Sequence, residues 1–251
     1  MVSDGYDASY FRRIAEKEPH SFWFRARNRV IVSAVRRHFP EARSMLEVGC
    51  GTGFVLAGLH DAFPDMRLVG SELFAEGLEI ARSRLPAEVE LVVADAHAMP
   101  YEAEFDVAGA FDVIEHIEDD LSALEGLRRS VRAGGGVVLT VPQHPALWSA
   151  ADTFAHHVRR YRRRDLLEKV RLAGFETIEV TSFVTALLPL MVISRVAHRV
   201  AGRPYDPIDE LVPGRLNAPF ERLLDFEGKV IERGVSLPVG GSLLVVARAQ
   251  G

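Results

Sequence analysis

The sequence predicts an α/β fold: a mostly parallel seven-stranded sheet with helices on both faces and helical cap insertions. Three observations predict it. From about Met45 short β-like runs alternate with helical ones, the rhythm of βαβ units and of a parallel sheet. Five such strands are complete by Pro142, and two more runs follow. The first strand passes straight into a glycine-rich turn, "LEVGCGTGF".

The elements follow in order. "SMLEV" leads to helical "FVLAGLHDAF", and "RLVGSE" to "AEGLEIARSRL". "VELVVAD" runs into a loop, "AHAMPYEAE". "FDVAGAF" is followed by helical "DDLSALEGLRRSV" and then by the strand "GGVVLTVP". "FETIEVTSF" and "GSLLVVARA" supply the last two strands. Residues 1–42 read as an N-terminal helical cap segment carrying Phe11, Phe22, Trp23 and Phe24. Residues 43–251 read as the main domain, with insertions at about 143–170 and 183–235. Pro189, Pro204, Pro207, Pro213 and Pro219 interrupt the second insertion. Additions of this kind often shape a substrate pocket over a sheet; extra core is the plainer reading.

Composition narrows the class. A chain of 251 residues fits one domain, or one domain with a cap, and 48% apolar residues suffice for a substantial core. A net charge of −5 argues against a general nucleic-acid binder, which presents a basic surface. The single cysteine, Cys50, excludes an intrachain disulfide and fits a reducing, cytoplasmic setting. The opening residues show no apolar signal core. The longest apolar segment, "FVTALLPLMVI", is shorter than the roughly 20 residues a bilayer span needs.

Glycines permit positive φ and leave no Cβ between backbone and ligand. At the first βα junction of an open sheet they mark a nucleotide-binding turn. The dinucleotide spacing fails in both frames, because Phe54 or Leu56 stands where its last glycine should be. The run is instead Glu47, Gly49, Gly51 and Gly53 at every second position. "LEVGCGTG" resembles motif I of the class I S-adenosylmethionine (SAM)-dependent methyltransferases, and the similarity extends over roughly residues 43–180. The resemblance implies a Rossmann-like fold, SAM as cofactor and S-adenosylhomocysteine as product. It places Gly49, Cys50, Gly51, Thr52 and Gly53 beneath the methionyl part of SAM. Glu47 then faces a ligand that carries an ammonium and a sulfonium. The family's second strand ends in an acid that grips the ribose hydroxyls; Glu72 stands there, with Leu73 beside it. A carboxylate accepts both hydroxyls in charge-assisted bonds. Asp95 stands where the family's third acid reaches the adenine amino group, with the N–H of Ala96 toward the ring.

The segment after strand four is "GAFDVIEHIEDD". Members of this fold that methylate the amine of adenine or glutamine carry an Asn/Asp-Pro-Pro-aromatic run here. This chain has Ala110-Phe111-Asp112-Val113, which disfavours those reactions and leaves O-, other N- and C-methylation open. Phe111 either covers the methyl group or is a core aromatic. Asp112, Glu115 and His116 form Asp-x-x-Glu-His, positions that share a face on a helical turn. Some relatives bind a divalent metal through Glu-x-x-Glu-His. The Asp-for-Glu departure leads to the expectation of no metal. A metal-assisted O-methyltransferase using Asp112, Glu115 and His116 is the alternative.

"HPALWSAADTFAHHVRRYRRRDLLEKV" resembles a segment of the type 11/12, ubiquinone-biosynthesis-like methyltransferases that ends His-x-Arg-Arg-Tyr before a helix. His157, Arg159, Arg160 and Tyr161 match it. Asp165 caps or begins that helix, and Gly174 stops it. Arg162 to Arg164 read as a solvated basic turn. A histidine can remove a proton from an acceptor hydroxyl, so His157 is the first candidate base and His144 the second, unless both only shape the pocket. Trp23, His116, Arg159, Arg160 and Tyr161 are candidates for the acceptor pocket. "SFVTALLPLMVISRVAHRV" is apolar and then basic at Arg195, His198 and Arg199. Over 183–200 it reads as a peripheral membrane contact, a cover for a greasy acceptor, or a core helix.

The expectation is a SAM-dependent methyltransferase acting on a small molecule, on an oxygen of an apolar, isoprenoid-like or anionic metabolite. No nucleic-acid partner is expected, and the chain should be a monomer or homodimer. Three rivals stand beside it. A nicotinamide oxidoreductase is opposed by the glycine spacing. An RNA methyltransferase is opposed by the net charge. A non-catalytic SAM-binding or assembly protein would carry the same motifs.

Overall fold

A computed structural model describes residues 8–201 and 214–250. Residues 1–7 of the expected cap and 202–213 of the second insertion, with Pro204, Pro207 and Pro213, lie outside the described residues. So do the side chains of His198 and Arg199.

The seven expected strands form one sheet: β1 (Ser44–Val48), β2 (Arg67–Glu72), β3 (Glu90–Val93), β4 (Phe105–Phe111), β5 (Val131–Pro142), β6 (Phe175–Phe183) and β7 (Ser242–Ala249). Their order is β3-β2-β1-β4-β5-β7-β6. Neighbours from β3 to β5 pair in parallel, and β7 lies antiparallel between β5 and β6. β5 begins earlier than "GGVVLTVP" because Val131 already pairs with Phe105 across an irregularity in the ladder. All five residues of β1 are buried, as a central strand covered on both faces requires.

Alternation along the strands feeds two cores. Val138 of β5 and Leu244 and Val246 of β7 face one side. Val137, Leu139, Leu243, Val245 and Ala247 face the other. The first side is covered by α2 (Phe22–His38), α3 (Phe54–Ala62), α4 (Ala75–Arg84) and α9 (Asn217–Glu232). The second is covered by α5 (Asp120–Ser130) and α7 (Arg163–Leu172), through Leu124, Leu127, Leu166 and Val170. α2 buries Ala26, Val30, Ile31, Ala34 and Val35, the spacing of a helix with one apolar face.

Three further α-helices stand among the described residues: α1 (Ala8–Lys17), α6 (Ala150–Phe154) and α8 (Leu188–Ala201), the last packing Met191 against the first core. The outer face of α8 exposes Leu190, Val192, Ile193 and Val196. Among the described residues no helix is long and apolar enough to cross a membrane. α7 starts two residues before the expected Asp165, which sits in its first turn. Gly174, at φ +88°, ends it.

The chain runs outward from β1 through β2 to β3, then returns to the other side of β1 as β4. The carboxyl ends of β1 and β4 therefore flank the point where strand order reverses, the place where open α/β sheets bind ligands. Glu47 lies opposite Gly109 there, and Val48 opposite Ala110.

Candidate functional site

The glycine loop leaves β1 with Gly49, Gly51 and Gly53 all at positive φ. Two of these glycines serve different needs. A Cβ at Gly49 would lie 2.6 Å from the Val113 side chain, so its bareness lets the ends of β1 and β4 close together. A Cβ at Gly51 would meet Phe11 in ordinary contact at 3.9 Å and, among the described residues, nothing nearer. The Cys50 N–H donates to the Ser71 carbonyl at 2.9 Å and ties the loop to β2. Burial pushes the Cys50 thiol well up.

Glu72 closes β2. One carboxylate oxygen accepts the Gly51 N–H at 2.9 Å, and the other accepts those of Leu73 at 2.7 Å and Phe74 at 3.1 Å. Burial raises the Glu72 pKa against the pull of those donors. Glu47 is 3% exposed, and among the described residues its Oε2 has no hydrogen-bond partner. Burial drives its pKa well above the usual range; Arg27 opposes the rise, and Glu18 and Glu72 add to it. A buried carboxylate oxygen without a donor is costly. An ammonium is the kind of group that satisfies it. Asp95 lies beyond β3, where it accepts the His97 N–H at 2.9 Å and faces the ring Nδ1 at 2.7 Å. Its carboxyl is held low by that N–H first, with burial opposing. Ala96 begins the short 3-10 turn that Asp95 caps.

The N-terminal segment clamps onto this loop. The Thr52 hydroxyl lies 2.7 and 2.8 Å from the two carboxylate oxygens of buried Glu18. Arg84 donates to Glu18 at 2.7 Å, to the Thr52 carbonyl at 3.1 Å and to the Ala15 carbonyl at 3.2 Å.

Beyond β4 the structure bears on several open readings. Phe111 is 5% exposed and folds back on its own strand; a Cβ at Gly109 would meet its ring at 2.5 Å. It packs in the first core, as the plainer reading of Phe111 expects. Asp112 has φ +57°, and its carboxylate takes the Thr140 hydroxyl at 3.2 Å and the Arg27 guanidinium. Arg27 in turn stacks over Trp23 at 4.7 Å and Phe24 at 5.3 Å. The left-handed turn and the Arg27 charge draw Asp112 toward α2, so Asp112, Glu115 and His116 do not form one ligand set. The ligand atoms that do converge belong to Glu115, His116 and His157, all within 4.8 Å of one another. This trio could hold a metal ion.

Glu115 is fully buried, and among the described residues neither of its carboxylate oxygens has a hydrogen-bond partner. Burial, then Asp112, pushes its pKa well up. The His116 and His157 rings meet edge to face at 4.7 Å. Burial, then His157, pushes His116 down to about 4. His157 places Nδ1 3.0 Å from Asp152 and Nε2 4.0 Å from Glu115. His144 follows β5 at φ +63°, and its N–H donates to the Tyr161 carbonyl at 2.9 Å. Burial, then Arg160, lowers its pKa.

The arginine run fastens the first insertion. Arg159 pairs with Asp120 at 2.6 Å and donates to the Glu118 carbonyl at 2.8 Å. Arg160 pairs with Asp152 at 2.7 Å and donates to the Gln143 carbonyl at 3.1 Å. The buried Tyr161 hydroxyl donates to Asp120 at 2.6 Å and approaches the Ile114 carbonyl at 3.1 Å. Both guanidiniums thus already neutralise acids of this chain. Arg162 and Arg164 are exposed as expected, while Arg163 donates to the Val180 carbonyl at 2.8 Å.

The structure therefore brings Glu47, Glu72 and the glycine loop to the carboxyl ends of β1 and β2. It brings Glu115, His116 and His157 together beyond β4, with Asp112 held separately by Arg27 and His144 after the end of β5. Sequence reasoning missed Arg27, Glu18, Arg84 and Asp152. The first three act on partners far away in the chain and leave no local pattern. Asp152 had a signal: Ser149-x-x-Asp152 is a helix-starting capping box.

Residues 46–139 match the methyltransferase-domain family model. An O-methyltransferase of Penicillium expansum is 31% identical over 171 residues, 62% of this chain and 60% of that protein. A ubiquinone biosynthesis O-methyltransferase of Thiobacillus denitrificans is 27% identical over 157 residues, covering 55% of this chain and 67% of the relative. Phosphoethanolamine N-methyltransferase 2 of Haemonchus contortus, solved with SAM, has the same fold at a TM-score of 0.59 and 19% identity, covering 88% of this chain and 52% of the other. The chain spans between 31% and 60% of the length of several curated relatives it matches.

Proposed function

We propose that this chain, which carries a class I SAM-dependent methyltransferase domain of the type 11 group, moves a methyl group from SAM to an oxygen of a small-molecule acceptor. The observation that carries this is the cradle at the end of β1. There Gly51 stands at positive φ four residues past Glu47, whose buried Oε2 has no hydrogen-bond partner among the described residues. SAM supplies an electrophilic methyl on a sulfonium. The chain's residues bind and orient. Glu47 would hold the ammonium, Glu72 the ribose hydroxyls and Asp95 the adenine amine. His157 would take the acceptor's proton, with His144 as the second candidate. Trp23 and His116 would line the pocket.

The paired state of Arg159 and Arg160 favours an apolar acceptor over an anionic one. The exposed stripe on α8 supports a peripheral membrane contact. The lone buried cysteine suits the cytoplasm. Monomer and homodimer remain the two proposed states.

The test is a screen of hydroxy acids, quinols, sugar derivatives and isoprenoids with methyl-labelled SAM. An O-methylated product supports the proposal. A product methylated on nitrogen or carbon overturns the oxygen assignment. SAM binding without turnover on any acceptor favours the non-catalytic rival.

The cluster of Glu115, His116 and His157 favours a second reading, metal-assisted transfer. One carboxylate and two imidazoles are a ligand set that suits zinc. The ion would lower the acceptor hydroxyl's pKa. Loss of turnover on chelation, restored by zinc or magnesium, would establish it. Undiminished turnover after chelation would exclude it.

A further inference from the structure

Asp152 is 1% exposed, yet its acceptor positions are filled. Oδ2 takes the Ser149 N–H at 2.7 Å and the Ser149 hydroxyl at 2.9 Å. Oδ1 takes Arg160 Nε at 2.7 Å and faces His157 Nδ1 at 3.0 Å. An ionised carboxylate only accepts, whereas a protonated one must donate. Bonded to the Arg160 guanidinium and a backbone N–H, Asp152 is ionised. Its neighbours must therefore donate. In a neutral imidazole one nitrogen carries the proton and the other the lone pair. The proton of His157 belongs on Nδ1, and the lone pair on Nε2 points to the side of Glu115 and His116. The backbone holds the same posture: His157 N–H donates to the Asp152 carbonyl at 2.9 Å, and Val158 N–H to the Glu115 carbonyl at 2.8 Å.

We propose that Asp152 is the positioning residue for His157, holding the ring in its Nδ1–H form so that Nε2 is free to take the acceptor's proton. This rests on His157 being the base of the proposed methyl transfer. In that step an acceptor oxygen lone pair forms the new bond to the methyl carbon. The carbon–sulfur pair withdraws onto sulfur, leaving a neutral thioether. The hydroxyl proton moves to Nε2, and the ionised Asp152 faces the resulting imidazolium. Arg160 then has a definite task. Its charge keeps Asp152 ionised, and its bond to the Gln143 carbonyl anchors the pair to the end of β5.

The tautomer can be read without an acceptor. Chelator-treated protein labelled with ¹⁵N in its histidines is examined by long-range proton–nitrogen correlation at mildly alkaline pH. The His157 ring is assigned by its loss in His157→Gln. The wild-type ring should show a protonated Nδ1 and a bare Nε2. In Asp152→Asn the amide can donate where the carboxylate accepted, so the ring should switch to the Nε2–H form. Turnover on the acceptor found by the screen should fall by on the order of 10²–10⁴, with SAM affinity unchanged. Asp152→Glu, which keeps the charge, should retain the Nδ1–H form and more of the turnover. An Nε2–H ring in the wild type, which is decisive even if Asp152→Asn fails to fold, overturns the proposal. So does an Nδ1–H ring that persists in Asp152→Asn. The expected tautomer together with undiminished turnover in His157→Gln would instead overturn the base reading beneath it, a separate failure.

Discussion

Glu72 accepts the Gly51 N–H at 2.9 Å, so the acid that closes β2 and the glycine loop that closes β1 are one hydrogen-bonded unit. The same carboxylate collects the N–H groups of Leu73 and Phe74. Glu72→Ala removes the proposed ribose acceptor and loosens the loop together. SAM affinity should weaken by about 1.5–3 kcal/mol, the range for charge-assisted hydrogen bonds. Calorimetry giving wild-type affinity for the variant would place the ribose elsewhere.

Glu47 should couple SAM binding to proton release. Burial, against the pull of Arg27, raises its pKa well above the ordinary 4.5 in the free protein. An ammonium beside it favours the ionised form. Binding should therefore expel a proton in the window above 4.5, and affinity should fall as pH falls through the raised value. The unliganded protein has the converse dependence. Its native state holds the proton longer than the unfolded chain, so this group takes stability away as pH rises through the same window. At mildly acidic pH the wild-type binding enthalpy should depend on the buffer's ionisation enthalpy. Glu47→Gln should bind more weakly and lose most of that dependence. Equal heats across buffers for the wild type would contradict the assignment.

The strand–helix rhythm and the three acids could be read from the sequence because they are local. Glu47, Glu72 and Asp95 each stand at or just past the end of a strand whose own period identifies it. The acceptor side is otherwise. Asp112 looks like a partner of Glu115 and His116 by spacing, but Arg27, 85 residues away, holds it. Arg159 and Arg160 look like free charge until Asp120 and Asp152 are found against them. Part of the proline-interrupted second insertion is core, since Leu224 and Ile231 of α9 pack on the sheet face. These pairings are set by packing between distant elements, which no spacing rule encodes.

His157→Ala should separate catalysis from packing. A lost base lowers turnover with saturating acceptor by on the order of 10²–10⁴ and leaves SAM affinity alone. A lost packing residue mainly raises the acceptor KM. A variant with unchanged kcat and a raised KM would remove His157 from the chemistry.

Asp120 should prove structural. It is 2% exposed and receives Tyr161, Arg159 and Lys169. Burial would raise its pKa, but Lys169, Tyr161 and Arg159 together hold it below the ordinary 3.8. Stability from this group is thus present above the unfolded value and lost as pH falls through the folded one. Asp120→Ala strands cations that are themselves partly exposed, so the cost belongs at the low end for broken buried pairs, about 3 kcal/mol. Urea denaturation near neutral pH should show that loss with SAM affinity retained. A variant as stable as the wild type would mean the network contributes nothing.

The most direct test of SAM binding on the glycine loop is a calorimetric titration of SAM into the wild type and Gly51→Val, with circular dichroism confirming that the variant is folded. Gly51 stands at φ +53°, a conformation that a β-branched residue rarely adopts, and a valine there would add bulk to the loop proposed to carry SAM. The wild type should bind one SAM per chain, and folded Gly51→Val should bind none measurably. No heat from the wild type, or equal affinity in the folded variant, would contradict a SAM site at this loop.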